Sequence, residues 1–422
     1  MSSRPARRGL RVTLVSRIFL PEPSAASFRL AALVRALADD GARVDVLTTS
    51  PGPGVEQVQD APTDALPARV RRAPVLRDAT GYVRGYLPYL SFDVPLLWRL
   101  LRTRRPDVVL VEPPPTTGAV VRAVCTVRRL PYVYYAADVW SDASAATGAP
   151  ALVVYLLRAM ERFALRGAAA VLSVNDGVSA RVRELGARQV TTVGNGVDTG
   201  IFHRTGRARS APAGAPGASA EAPGGGAGAS AEALDVPAGP FLLYAGTASE
   251  WQGAEIFARA MPRVLREVPG ARLVYLGQGS SWPSLRALAA ELPAGAVQLR
   301  DPVDAATSAI WQRAARAAVV SLKPGIGYDF AMPTKIFAAL GCGTPVLFAG
   351  PGPAGQLVRE ENLGQATDYD VEDVAAAMIT ALRTAPAEAE RDRLAAWTEE
   401  HRSLAAVGRR GAEAVAGAAR TD

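Results

Sequence analysis

Short apolar, β-branched runs alternate with longer stretches of helical periodicity along almost the whole chain. The strand-like runs of the first half cover residues 12–15, 44–47, 107–111, 132–135, 170–174 and 190–193, and helical patterns lie between them at 27–38, 117–129, 151–165 and 178–185. Such alternation specifies parallel sheets flanked by helices. The rhythm stops at residue 205, where Ala, Pro, Gly and Ser take over and almost nothing is left to bury before residue 240. A stretch of that composition does not offset its ordering entropy and reads as a disordered linker. Strand-like runs resume at 241–245, 272–276, 297–299, 318–322 and 345–348, and an Ala/Arg/Glu-rich helical region covers 387–418. The expected organisation is an α/β domain over residues 1–204, a linker over 205–239, a second α/β domain over 240–385 and a helical region over 386–422.

Composition removes several function classes. The 422 residues suit two domains, and 49% hydrophobic against 21% charged residues gives ample core. The 47 basic and 40 acidic side chains leave a net charge of +7, but the arginines are dispersed among acids with no recognition module, so nucleic acid is not an expected partner. Only His203, His401, Cys125 and Cys342 are available as imidazoles and thiols. Zinc sites, Cys/His nucleophile pairs and disulfide frameworks therefore lack raw material, and no metal site is expected. Both cysteines sit in apolar, helix-like contexts and read as core residues of a reducing compartment, while the two histidines read as packing and surface residues. Residues 1–8 are short and basic, and the apolar run from Leu10 to Leu20 is broken by Arg11 and Arg17. That run reads as a first strand rather than a signal peptide or a membrane span, and the expected location is cytoplasmic. The only lysines are Lys323 and Lys335, twelve positions apart.

Paired α/β domains bind ligands where strand carboxyl ends, loops and helix N-termini converge. The turn after the first strand lacks Gly-x-Gly-x-x-Gly, and no P-loop Gly-Lys-Ser/Thr occurs, so dinucleotide and P-loop chemistry are not indicated. Asp368-Tyr369-Asp370 matches an Asp-x-Asp metal motif formally, but its position before an apolar helical run makes it a loop and helix N-cap. The remaining motifs are Pro21-Glu22-Pro23 with Arg29, Ala137-Asp138-Val139-Trp140 after a strand, Gly194-Asn195-Gly196-Val197-Asp198, Tyr244-Ala245-Gly246, Leu276-Gly277-Gln278-Gly279, and Pro333-Thr334-Lys335-Ile336-Phe337 running into Gly343-Thr344-Pro345-Val346. In this order and spacing the chain resembles the family-4 retaining glycosyltransferases of GT-B fold, in particular the bacterial branch of polysaccharide and O-antigen sugar transferases. The resemblance implies an α/β fold of two Rossmann-like domains facing a central cleft, with a C-terminal helix crossing back onto the first. It implies transfer of a sugar from a UDP- or GDP-linked donor to a small-molecule or lipid-linked acceptor, in envelope-glycan or natural-product biosynthesis, with no cofactor beyond the nucleotide-sugar co-substrate.

Nucleotide-sugar transfer releases a diphosphate, so it needs positive charge and oriented N–H groups where negative charge develops. Pro333 fits the first turn of a helix over residues 334–340, which would leave backbone donors free around Ala331 and Met332, with Thr334 beside them and Lys335 as a movable point charge. Lys323 falls in the same window. Gly246 permits close backbone approach to a ligand. Thr247 and Gln252 fall where many relatives place Arg and Lys on the donor diphosphate, so Lys323 and Lys335 are expected to carry more of that load. The family's pair of glutamates would fall at Phe330 and Ala338, and Asp329 is the nearest candidate for a donor-sugar contact. Asp138, at a strand's carboxyl end, is expected to orient a sugar hydroxyl or the acceptor nucleophile, or else to cap a helix. Relatives often carry His before it, where this chain has Ala137. Ser24, Arg29 and Trp140 are the expected acceptor-side residues. The departures at Ala137, Phe330 and Ala338 also admit a catalytically weak scaffold that binds nucleotide or glycan and acts through a partner.

Residues 82–105 combine Tyr82, Tyr86, Tyr89, Phe92, Trp98 and several leucines with Arg102, Arg104 and Arg105. This stretch reads either as an acceptor-side helix packed into the first domain or as an amphipathic surface resting on an anionic membrane.

Overall fold

In the computed structural model, which describes residues 9–22, 24–52, 66–78, 83, 85–146, 148–205 and 234–420, the apolar runs form two parallel sheets in two compact units. The expectations for residues 1–8, Pro23, Tyr82 and 206–233 lie outside the described residues.

The first unit runs through β1 (Arg11–Val15), α1 (Ala25–Asp39), β2 (Arg43–Thr49), β3 (Ala68–Ala73), α2 (Tyr86–Arg102), β4 (Val108–Val111), α3 (Pro115–Arg128), β5 (Tyr132–Ala136), α4 (Trp140–Ala146), α5 (Ala151–Gly167), β6 (Ala170–Ser173), α6 (Asp176–Glu184) and β7 (Val190–Thr192). Its sheet has the order β3-β2-β1-β4-β5-β6-β7, all parallel. The central strands β4 and β5 are buried at every position, as covering helices on both faces require. Strand order reverses between β1 and β4, so the crevice at the carboxyl ends of these two strands is the expected ligand position. Ser16 and Arg17 follow β1 there, and Glu112 follows β4.

The second unit contains β8 (Phe241–Ala245), a 3-10 turn (Glu250–Gln252), α7 (Glu255–Glu267), β9 (Arg272–Leu276), α8 (Trp282–Ala290), β10 (Val297–Arg300), α9 (Ala305–Ala314), β11 (Ala317–Ser321), α10 (Lys335–Gly341), β12 (Val346–Ala349), α11 (Pro353–Glu360), β13 (Gly364–Thr367), α12 (Val371–Arg383) and α13 (Glu388–Arg402). Its parallel sheet has the order β10-β9-β8-β11-β12-β13. The reversal falls between β8 and β11, which pair only through Ala317↔Leu242 and Ala318↔Leu243. Beyond those pairs lie Gly246 and Thr247 after β8, and Lys323 after β11.

Three boundaries differ from the sequence reading. The first unit ends at Asn195 rather than at residue 204, because Val197 donates its N–H to the Arg402 carbonyl and bridges Ser403, and Phe202 packs on the second unit's core. The second unit begins before residue 240: Val236 packs against the cluster of Phe241 and Trp311, and Asp235 pairs with Arg300 at 2.5 Å. The C-terminal helical region divides at Ser403, whose extended backbone ends α13. The following helix, α14 (Leu404–Ala418), belongs to the first unit and packs on α1. Gly408 permits that approach, since a β-carbon there would press on the Ala32 carbonyl. Among the described residues no helix is long and apolar enough to cross a membrane.

Candidate functional site

In the second unit the residues expected to meet a diphosphate converge on the loop after β8. Lys335, the first residue of α10, reaches back so that its Nζ donates to the Tyr244 hydroxyl at 2.7 Å and to the Thr247 carbonyl at 2.9 Å. The ammonium also lies 3.9 Å from the centre of the Tyr244 ring. No carboxylate pairs with it among the described residues. Burial without a counter-ion lowers its pKa from 10.5 to about 7. Gly246, at φ +111°, adopts a conformation that side chains disfavour, and a β-carbon there would touch the Lys335 chain. The neighbouring loop is equally tight: the Gly246 and Ala248 N–H groups donate to the Leu276 and Gln278 carbonyls, and a β-carbon on Gly277 would overlap the Gly246 carbonyl. This explains the Gly277-Gln278-Gly279 motif as a backbone wall for the Gly246–Thr247 turn.

Other expected donor residues take different parts. The Gln252 side chain is buried, and its Oε1 accepts from the Tyr244 hydroxyl and the Ser249 N–H, closing a capping box on the 3-10 turn. Its amide oxygen is thus committed to supporting Tyr244 and the turn. Lys323 is exposed, and its N–H donates to the Trp251 carbonyl while its β-carbon lies against Gly253 at the far end of the same loop. The two lysines thus bracket residues 246–253. The helix expected over 334–340 begins at Lys335 and has seven residues. The Ala331 N–H is not free, since it donates to the Tyr328 carbonyl at 2.9 Å. Met332 is partly buried against the core, Pro333 is buried, and Thr334 is exposed with no side-chain cap bond. Asp329 accepts the Gly325 N–H at 3.3 Å and so shapes the loop before α10. Phe330 is 47% exposed and Ala338 packs on the core. Asp370 caps α12 through the Glu372 and Asp373 N–H groups, as the sequence indicates.

In the first unit, Arg29 and Asp138 gather at the switch point around a carboxylate that the sequence reading did not single out. Glu112, almost fully buried, accepts from Arg29 Nη2 at 2.7 Å and from Ser16 Oγ at 2.9 Å. Burial opposes the Arg29 charge, but Glu112 and then Tyr135, whose ring lies 5.0 Å from the guanidinium, raise its pKa overall. Asp138 lies at the end of β5; desolvation raises its carboxyl pKa, Arg29 offsets part of this and Glu112 adds to it. Asp138 is not the helix cap that the alternative reading required. Glu161 accepts the Trp140 and Ser141 N–H groups at the start of α4 instead. Ser24 caps α1 by accepting the Ser27 N–H. The Trp140 ring meets Tyr89 edge-on at 6.2 Å. The signal for Glu112 was present: a lone carboxylate directly after four fully buried strand residues needs a partner. Among the described residues, no three His, Cys, Asp or Glu groups gather as a metal site.

Comparison with known proteins agrees with this architecture. Residues 24–196 match the model of the glycosyl transferase 4-like domain, and residues 239–384 match that of glycosyl transferases group 1. No curated protein matches the sequence closely enough to count as a relative. Among solved structures, the Anabaena protein HepE in complex with UDP-glucose superposes with a TM-score of 0.65 at 15% identity, over 97% of this chain and 100% of that one. A glycosyltransferase from Rickettsia africae gives 0.68 at 12% identity, over 99% and 100%. WaaG, a glycosyltransferase involved in lipopolysaccharide biosynthesis, gives 0.60 at 16%, over 96% and 100%. At these identities the likeness establishes the fold.

Proposed function

Because this chain belongs to the GT-B glycosyltransferases with a family-4-like and a group 1 domain, we propose that it transfers a hexose or modified sugar from a UDP- or GDP-linked donor to an acceptor with retention of configuration. One observation carries the donor assignment: Lys335, held by Tyr244 and Thr247 without a carboxylate, at the point where β8 and β11 part. A lysine so held is a cation in want of an anion. A diphosphate at Gly246–Thr247 would supply one, restore its proton and let it stabilise the leaving group. Lys323, at the other end of the same loop, is a second cation for that group.

The first unit would take the acceptor. Asp138, lifted in pKa by its surroundings, is suited to hold an acceptor or sugar hydroxyl, with Arg29 fixed behind it by Glu112. In the retaining route the departing phosphate takes the acceptor proton on the same face of the sugar, so neither an imidazole nor a metal is called for. The apolar Phe330 and Ala338, where relatives carry glutamates, give the scaffold reading its support. Nucleoside diphosphate release from a panel of UDP- and GDP-sugars separates the two, because a scaffold binds without turnover.

A membrane-peripheral placement has support from the exposed apolar residues of the first unit. On α2, Leu87, Leu90, Val94 and Trp98 are all more than half exposed, and on α5 so are Leu152 and Tyr155. The only carboxylates on α2, α3 and α5 are Asp93 and Glu161, both buried, while Arg102 lies over Trp98. An apolar, arginine-edged face without exposed carboxylates suits an anionic membrane surface.

A further inference from the structure

Apart from Trp140, the side chains around one cavity at the first unit's switch point have no part in the reading so far. A cavity of about 350 Å³ opens there, lined by Arg17, Ile18, Glu22, Arg77, Val83, Tyr89 and Trp140. Its volume is at the small end for small-molecule sites and matches roughly one sugar ring. Two of its charged groups neutralise each other, since Arg77 pairs with Glu22 at 2.6 Å and that carboxylate also takes the Gly52 N–H at 3.1 Å.

Arg17 is different. Its guanidinium lies 4.1 Å from the centre of the Tyr89 ring and 5.7 Å from that of Trp140, and one Nη donates to the Val83 carbonyl at 2.9 Å. Its Nε is buried and has no acceptor among the described residues. Among the described residues no carboxylate bonds to it; burial lowers its pKa, against the opposing effects of Tyr89, through charge and a side-chain hydrogen bond, and of Asp93 and Glu112 at a distance. An arginine always carries its charge, so this cavity holds a partly desolvated cation beside two aromatic rings that no carboxylate among the described residues bonds to. Such rings stack on the C–H faces of a sugar, and a guanidinium recognises a carboxylate or phosphate through paired N–H donors.

Resting on the assignment of the acceptor to the first unit, we propose that this cavity binds an anionic sugar unit of the acceptor, with Arg17 holding its carboxylate or phosphate and Tyr89 and Trp140 covering its ring. The two sources share this chemistry, and the experiment distinguishes them.

The test is saturation-transfer NMR on the full chain with three probes: methyl glucuronide, glucose 6-phosphate and neutral methyl glucoside. At least one anionic probe is expected to bind about tenfold or more tightly than methyl glucoside, the scale of one charge-assisted hydrogen bond. A glucuronide preference identifies a uronate acceptor and a glucose 6-phosphate preference a phosphorylated one. Arg17→Gln should abolish the preference, while Arg17→Lys, which keeps the charge, should retain part of it and guards against a folding defect. Equal binding of all three probes, or an undiminished preference in a folded Arg17→Gln variant, overturns the proposal. UDP and GDP binding, followed in the same samples, report on the donor reading: failure to bind either, with a persisting anion preference, refutes that reading and not this one.

Discussion

Lys335 and Tyr244 are bound twice over, with the lysine Nζ 2.7 Å from the phenol oxygen and 3.9 Å from the centre of the same ring. The phenol in turn is held by Gln252 and the Thr247 carbonyl, so the ammonium is fixed by neutral groups and stays easy to deprotonate. Its pKa falls from 10.5 to about 7 through burial. A bound diphosphate should push it back up. Near pH 8, where the diphosphate is already ionised, nucleotide binding should therefore take up a proton, readable as a buffer-dependent calorimetric enthalpy. Lys335→Met should remove the uptake; uptake unchanged in the variant would assign it to another group.

The same shift fixes a stability trend for the unliganded protein. With the folded pKa below the unfolded one, the unfolded chain binds more protons between about pH 7 and 10.5. This group's contribution to stability therefore rises with pH across that window. Denaturation of wild type and Lys335→Met at several pH values should show the rise in the wild type only.

Asp138 has the opposite sign. Its folded pKa is raised from 3.8, first by desolvation, so its ionised form opposes folding at neutral pH and stability falls as pH climbs through the shifted value. Asp138→Asn should raise the melting temperature near pH 7 while reducing sugar transfer. A drop in melting temperature would instead mark Asp138 as a structural residue.

Glu112 and Arg29 form a buried pair, 2.7 Å apart and both largely shielded from solvent. Arg29→Ala leaves the carboxylate uncompensated and should cost about 3–5 kcal/mol in urea denaturation. Replacing both residues by methionine should recover much of that loss; no recovery would mean that the pair matters through other contacts.

The exposed face of α2 offers a separate test. Wild-type protein should co-sediment with anionic liposomes and leave neutral ones in the supernatant, and Leu90→Ser with Trp98→Ser should weaken this several-fold. Indifference to lipid charge and to both substitutions would remove the membrane placement.

The central strands were legible because β1, β4, β5, β8 and β11 are buried on both faces and read as apolar runs. The two strands missed, β3 (sequence ARVRRA) and β13 (sequence GQAT), each form one edge of their sheet and hold no fully buried residue. An edge strand needs little apolar surface, so hydrophobic periodicity reports one only where apolar positions remain, as it does for the other two edges, β7 and β10. The lysine window pointed to Lys335, and the structure joins it to Gly246 and Thr247, 88 and more positions earlier in the chain. For Glu112 the need of a partner was legible but not which one: Arg29 is 83 positions away, and one sequence carries no sign of that pairing. The capping role of Gln252 was not legible either, because a buried capping amide and a ligand-facing one look alike in sequence.

The central claim is that Lys335 serves a nucleoside diphosphate leaving group. Nucleoside diphosphate release from UDP- and GDP-sugars, measured with and without candidate acceptors for wild type and Lys335→Ala, tests it most directly. The account predicts release from at least one donor, reduced about 100-fold or more in a variant that keeps its melting transition. Equal release by the folded variant, or binding without release across the whole panel, would contradict it.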